Sequence, residues 1–140
     1  MQRSALIAIA VMLSTTPAGA GETTSPADAK VYFINLKNDD IVKSPVTIQF
    51  GLSGMGIAPA GVDLPGTGHH HLLIDDAIRS EALQEAIPLD ERHLHFGKGQ
   101  TEATVALPKG THTLQLVLGD WSHVPHKHPL MSERITVIVR

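Results

Sequence analysis

The sequence predicts an all-β protein: an immunoglobulin-like antiparallel Greek-key sandwich of about seven strands with one short helix. Three observations carry that expectation. Short runs alternate apolar with polar residues, the period of a strand that buries one face. Clusters of Gly, Pro, Asn and Asp punctuate these runs at near-regular intervals. A single stretch, IRSEALQEA, has helix-forming composition. A jelly roll, as in cupins, is the alternative β architecture.

The elements follow in order. Met1-Gln2-Arg3, the apolar Ala5 to Leu13 and the small-x-small Ala18-Gly19-Ala20 read as a cleaved signal peptide over residues 1–20. Its apolar core is shorter than the roughly 20 residues a permanent span needs, so no membrane span is expected after cleavage. Residues 21–29 (GETTSPADA) are small and polar and read as a flexible lead-in to one domain over 30–140. Val31 to Leu36 is the first strand. Val46, Ile48, Phe50 and Leu52 alternate with Thr47, Gln49 and Gly51 to make the clearest one. A loop rich in Gly and Pro, Gly54 to Gly68, leads into His69 to Asp75. Residues 76–88 hold the helix-like stretch, one or two turns stopped by Pro88. A short extended piece around His93 to Phe96, a strand from Thr101 to Leu107, a strand from Thr111 to Gly119 and a last one over Ile135 to Val139 complete the set.

Composition narrows the function. Loss of residues 1–20 removes one cation, Arg3, and no acid, taking the formal charge from -3 to -4. The chain has no basic stripe to neutralise phosphates, which argues against nucleic acid as a partner. Cysteine is absent, so disulfides and thiolate metal sites are excluded. No GxSxG, HExxH or paired-carboxylate pattern marks an enzyme.

Histidine is the unusual component, with nine in 140 residues. Strand direction says where they go, because the loops of a Greek-key sandwich gather at two poles. Descending from Gly68, rising through His93 and His95, and rising again to Gly119, the chain brings eight of nine to one pole. His112, after Pro108-Lys109-Gly110, falls at the other end and reads as a structural corner residue. On a strand, residues i and i+2 share a face, which makes His69 with His71 and His93 with His95 two-imidazole pairs. His123 and His126 add a loop pair. Neutral imidazoles suit copper, zinc or nickel, and a secreted, cysteine-free chain favours copper, with zinc the alternative. Met55 and Met131 read mainly as packing groups that could add a thioether. His70 shares the Leu72 and Ile74 face and reads as packing, His128 as surface. Trp121 reads as packing over the loop, while Asp75 and Asp76 close a strand and bind backbone or solvent.

The stretches GHHHLLID, HLHFGKGQTE and LPKGTHTLQLVLGDWSHVPH resemble those of a bacterial family of small secreted domains of unknown function. That resemblance covers nearly all of residues 31–140 and implies an immunoglobulin-like fold and a periplasmic location. More remotely, LPKGTHTLQLVLGDWSH is similar to the end of periplasmic copper-carrier sandwiches, in which a histidine after the penultimate strand ligates copper; His123 is the matching residue. Such carriers often use an amino-terminal histidine, and here the mature chain would begin at Gly21. The expectation is a periplasmic or secreted copper-binding protein that carries, buffers or delivers the ion, with another metal-handling protein of that compartment as partner. Two rivals are a copper-dependent redox enzyme and a metal-free module that recognises a peptide, a glycan or an envelope partner.

Overall fold

The structure, a computed structural model, describes residues 23–140. The expected signal peptide lies outside the described residues. Nine strands form two sheets packed face to face: β1 (Lys30–Phe33), β2 (Asp40–Val42), β3 (Val46–Ser53), β4 (Gly56–Ile57), β5 (Thr67–Ile74), β6 (His93–His95), β7 (Glu102–Val105), β8 (Gly110–Gly119) and β9 (Ile135–Val139). The smaller sheet has the order β1-β3-β7. The larger runs β2-β9-β8-β5-β4, with β6 also on β5. This is an all-β sandwich, and its partition of strands is that of an immunoglobulin-type Greek key.

The alternating runs explain which face goes inward. Ile48 and Phe50 of β3 meet Leu72 and Ile74 of β5, Leu114, Leu116 and Leu118 of β8, and Val137 and Val139 of β9 in one core between the sheets. Ile48, Leu72, Leu114, Leu116, Leu118 and Val137 are fully buried. Burial of each such side chain contributes about 1.5–3 kcal/mol, which serves a chain that has no disulfide.

Two strands beyond the expected set come from the turn material. The chain leaves the smaller sheet after β1 and crosses to the larger one, where β2 pairs parallel to β9. Asp39, at φ 66, makes the bend, and the Asn38 side chain accepts from the Thr136 amide at 2.8 Å. The two-residue β4 lies in the glycine-rich loop and pairs parallel to β5. The expected helix shrinks to a single 3-10 turn, Ser80–Ala82, which buries no residue and whose preceding Arg79 is extended and offers no side-chain cap. Without an apolar face to bury or a cap, so short a segment has nothing to hold a longer helix.

The lead-in is also not loose over its described part. Thr23 donates to Asp120 Oδ2 at 2.9 Å, Ser25 donates to the His128 carbonyl at 2.6 Å, and Ala29 packs into the core. These long-range bonds tie residues 23–29 to the β8–β9 loop.

At the lower end of the larger sheet, Asp75 takes a left-handed conformation (φ 54) directly after β5. There its carboxylate accepts from the Thr113 amide at 2.8 Å and from His112 Nδ1 at 2.7 Å. His112 Nε2 donates to the Pro108 carbonyl at 2.9 Å. Both ring nitrogens therefore donate, which requires the imidazolium. The Asp75 hydrogen bond raises His112 above the usual histidine range, against the opposing effect of burial. Because its folded pKa is raised, this corner stabilises fully below the unfolded value of about 6.5 and is lost as pH rises through the folded value. His112→Ala is expected to cost about 1–3 kcal/mol at pH 6 and less at pH 9, read from urea midpoints. An equal loss at both pH values would rule out the charged bond.

Candidate metal centre

Strand β5 is buried on both faces, which is the first unusual feature of the site. One face meets the core. His70 lies on it, its ring 5.2 Å from that of Phe50, and neither of its nitrogens has a hydrogen-bond partner. The other face would look into solvent in a simple sandwich, but two connections fold back over it. Ile78 and Ile87 from the segment between β5 and β6 pack on Leu73 and Val117, and the Ile87 amide donates to the His123 carbonyl at 2.9 Å.

Under this cover stand four imidazoles. His69 and His71 come from β5, His95 from β6, where it pairs with His71, and His123 from the β8–β9 loop. Ring centroids lie 4.8 Å apart for His69–His71, 5.0 Å for His69–His95, 5.1 Å for His69–His123 and 4.7 Å for His95–His123. His71 stands 5.1 Å from His95 and 5.9 Å from His123. His69, His95 and His123 present ring nitrogens all within 4.8 Å of one another. The Nε2 atoms of His69 and His71 are 3.1 Å apart. His69 and His71 are fully buried, while His95 and His123 are half-buried.

The backbone is shaped around these rings. A Cβ on Gly97 would overlap the His95 ring, and one on Gly119 would come within 2.8 Å of His71 Nε2. Asp120, almost wholly buried, accepts at one oxygen from the Ser122 amide and hydroxyl (both 2.8 Å) and from the Val124 amide (3.0 Å). This knot holds the turn in which His123 adopts φ 70, a left-handed conformation uncommon outside glycine. Burial alone would raise the Asp120 carboxyl, yet the bonds from Ser122, Val124 and Thr23 keep it below the usual carboxylate range. Gly97→Ala is expected to displace the His95 ring and weaken metal binding by at least about tenfold, as loss of an orienting contact does, with an unchanged β circular-dichroism spectrum. Unaltered binding would show that His95 is free to move.

Three of the rings are held toward the neutral form. Burial, and then the other imidazoles, hold His71 down at about 2. His69 lies at about 4 from burial and from His95 and His123, with Asp120 pulling weakly the other way. Burial and then His123 lower His95. Neutral imidazoles are the form that ligates metal. Moreover, His69 Nδ1, His71 Nδ1 and His95 Nε2 are buried without a hydrogen-bond partner. Such groups normally cost free energy and call for an explanation.

Two of the six histidines read as ligands in the sequence stand apart. His93 shares the β6 face of His95 but lies one step lower, opposite Leu73, with Nδ1 on Asp90 Oδ1 at 2.7 Å. The carboxylates around it give that imidazole a separate environment. His126 is buried in a pocket of about 250 Å³ beside Thr23, Asp120 and Trp121. Burial lowers its pKa against the opposing pull of Asp120 and the Thr23 backbone, and neither ring nitrogen makes a hydrogen bond of good geometry. Met55 packs against the core between the sheets, which keeps its thioether from the outer face. Gly97, Gly119 and Asp120 are the supports that the sequence reading missed; a glycine directly after the HxHF stretch was the available signal for one of them.

Fold and site together define a β-sandwich with a histidine cluster able to hold a metal ion on the outer face of its larger sheet. The chain belongs to the family described as Domain of unknown function (DUF4399), whose family model matches residues 48–140. All nine histidines fall within the matched residues. No curated protein and no solved structure matches the chain. Among the described residues, no helix is long and apolar enough to cross a membrane.

Proposed function

We propose that the protein is a periplasmic binding protein for a transition metal, copper in preference to zinc, held by His69, His71, His95 and His123, and that it carries, buffers or delivers the ion. The observation that carries this reading is the convergence of four imidazoles on one spot, with ring nitrogens of His69, His95 and His123 all within 4.8 Å of one another and the His71 Nε2 3.1 Å from that of His69. Two nitrogens each about 2.05 Å from one ion are separated by about 2.9–3.3 Å, from the square-planar to the tetrahedral angle. The His69 and His71 Nε2 atoms have that spacing, 3.1 Å.

Imidazole-only ligation suits cupric copper and zinc, and copper binds such ligands more tightly in the Irving–Williams order. The remote resemblance of LPKGTHTLQLVLGDWSH to the end of copper-carrier sandwiches points the same way, and His123 would be the matching ligand. A second reading, redox use of bound copper, is favoured by the half-buried state of His95 and His123, which leaves that side open to a small ligand. Turnover of superoxide or peroxide by the copper-loaded protein would distinguish it from a carrier.

Element analysis of protein purified from its native compartment without an affinity tag tests the proposal. About one copper per chain supports it. A metal-free protein whose melting temperature does not rise with added copper or zinc overturns it, since a ligand of the native state stabilises by mass action.

A further inference from the structure

We propose that His93 and Asp76 form a second, weaker site for the same divalent ion and that metal reaches the four-imidazole centre through it; this rests on the metal-binding reading above. The two carboxylates beside His93 have no role in the centre itself. The His93 side chain is about nine-tenths buried and, with Asp76, lines a cavity of about 390 Å³; the nearest carboxylate to its Nε2 is that of Asp76. Asp90 Oδ1 accepts from both the His93 amide (3.0 Å) and His93 Nδ1 (2.7 Å). Asp90 thereby engages Nδ1 and leaves Nε2 for a different partner. A carboxylate behind a histidine is the arrangement that orients metal-binding imidazoles and raises their basicity.

A second ligand stands opposite. Asp76 Oδ2 is 3.8 Å from His93 Nε2, too far for a hydrogen bond and slightly wider than the roughly 3–3.5 Å that two ligands of one ion span. Its other oxygen is occupied by the Ala77 amide at 2.8 Å. The side chain is about one-third exposed (32%), so a small rotation would close the gap. Arg92 competes for the same oxygen at 3.5 Å, but its guanidinium is 63% exposed and can yield to a divalent ion. Glu81 and Glu85 also line the cavity, and with Asp76 they outweigh the cationic Arg79 of the same lining and leave it net negative.

Position makes this a loading site. His93 and His95 lie on the same face of β6, two residues or about 7 Å apart. The cavity wall includes Ile87, whose amide holds the His123 carbonyl. Two protein ligands with water completing the shell bind weakly and release easily. The four imidazoles then take the ion from them.

The test uses tag-free protein at pH 7 with copper(II) chloride, following stoichiometry by titration and loading by stopped flow. Wild type should bind one tight and one weak ion. Asp76→Asn/His93→Gln should keep the tight ion with affinity within about twofold, lose the weak one, and load on the order of tenfold more slowly at low micromolar copper, the scale of electrostatic steering. Asp76→Asn alone, at a partly exposed side chain, gives the same readouts should the double variant fold poorly. Unchanged stoichiometry and loading rate overturn the proposal. A His95→Ala/His123→Ala protein separates the two sites: it should lose the tight ion and retain the weak one, and retention there is lost again on adding Asp76→Asn. Absence of the weak ion from that protein overturns the loading site. A wild type that binds only the weak ion, unaffected by His69→Ala, overturns the four-imidazole centre instead.

Discussion

His71→Leu is expected to abolish tight metal binding and, at the same time, to make the metal-free protein more stable. The two effects have one cause. In the metal-free fold His71 is wholly buried, its Nδ1 is unpaired, and its ring is surrounded by three more imidazoles. An unsatisfied buried polar group costs about 1–3 kcal/mol, and an apolar side chain of similar size removes that cost. The neighbouring Leu73 and Val117 already provide apolar surface on this face. The change also takes the Nε2 partner away from His69, which offsets part of this, so a gain of up to about 1 kcal/mol in urea unfolding of the metal-free protein follows. With metal present the order reverses, because loss of a direct ligand should cost more than the roughly 100-fold at the upper end for an outer partner. His95→Ala should likewise lose the tight ion, whereas His93→Ala should retain it. If His71→Leu destabilises the metal-free fold while metal affinity is retained, the imidazole is structural and the centre is misassigned.

The contrast between His95 and His93 shows how far the sequence could be read. Alternation put both on one face of β6, and they are there. What alternation does not contain is the position of Asp90 and Asp76, which arrive from the preceding loop and surround one ring only. The same holds for His123 and His126 in SHVPH. Their spacing gives no direction in a loop, and the difference between them is made by the hydrogen bonds of Asp120, which force φ 70 at His123 and swing its ring over β5. His70, by contrast, was legible from Leu72 and Ile74, since period-2 alternation leaves it no other face.

The place of the centre was legible only in part. Strand directions put His112 at the opposite end from His69, and its pairing with Val137 at the base of β8 agrees with that count. The centre itself lies on the outer face of the larger sheet, beneath the two folded-back connections, with His123 supplied by the β8–β9 loop. Nothing in the periodicity of residues 75–92 tells that Ile78 and Ile87 turn inward onto Leu73, because a loop carries no period. Continuous burial of β5 on both sides was the available hint: HHHLLI has no exposed member to alternate with.

Acid is expected to unfold the metal-free protein steeply between about pH 6 and pH 4. An unfolded histidine titrates near 6.5, whereas burial, aided at His69 and His71 by the neighbouring imidazoles, holds His71 at about 2 and His69 and His70 at about 4. A histidine whose folded pKa is lowered leaves the unfolded chain holding more protons at every pH between the two values. Stability therefore falls as pH falls through that window, at about 1.4 kcal/mol per pH unit for each fully effective group. Three such groups give a slope of roughly 4 kcal/mol per unit, large beside the 5–15 kcal/mol total of an ordinary domain. Burial lowers His95 and His126 as well, and they act in the same direction. The lowered carboxyls of Asp75 and Asp120 lose their contribution only as pH falls below about 4, and His112 retains its contribution throughout the acid range. Urea midpoints between pH 7 and 4.5 measure the slope. Replacing His70, which lies on the core face, by Leu should flatten it by about 1.4 kcal/mol per pH unit while leaving the outer cluster in place. Bound metal should delay the collapse until protons displace the ion below about pH 6. A midpoint that stays level from pH 7 to pH 5 without metal would mean that the buried rings accept protons in the folded state, and the neutral cluster on which metal binding depends would not exist.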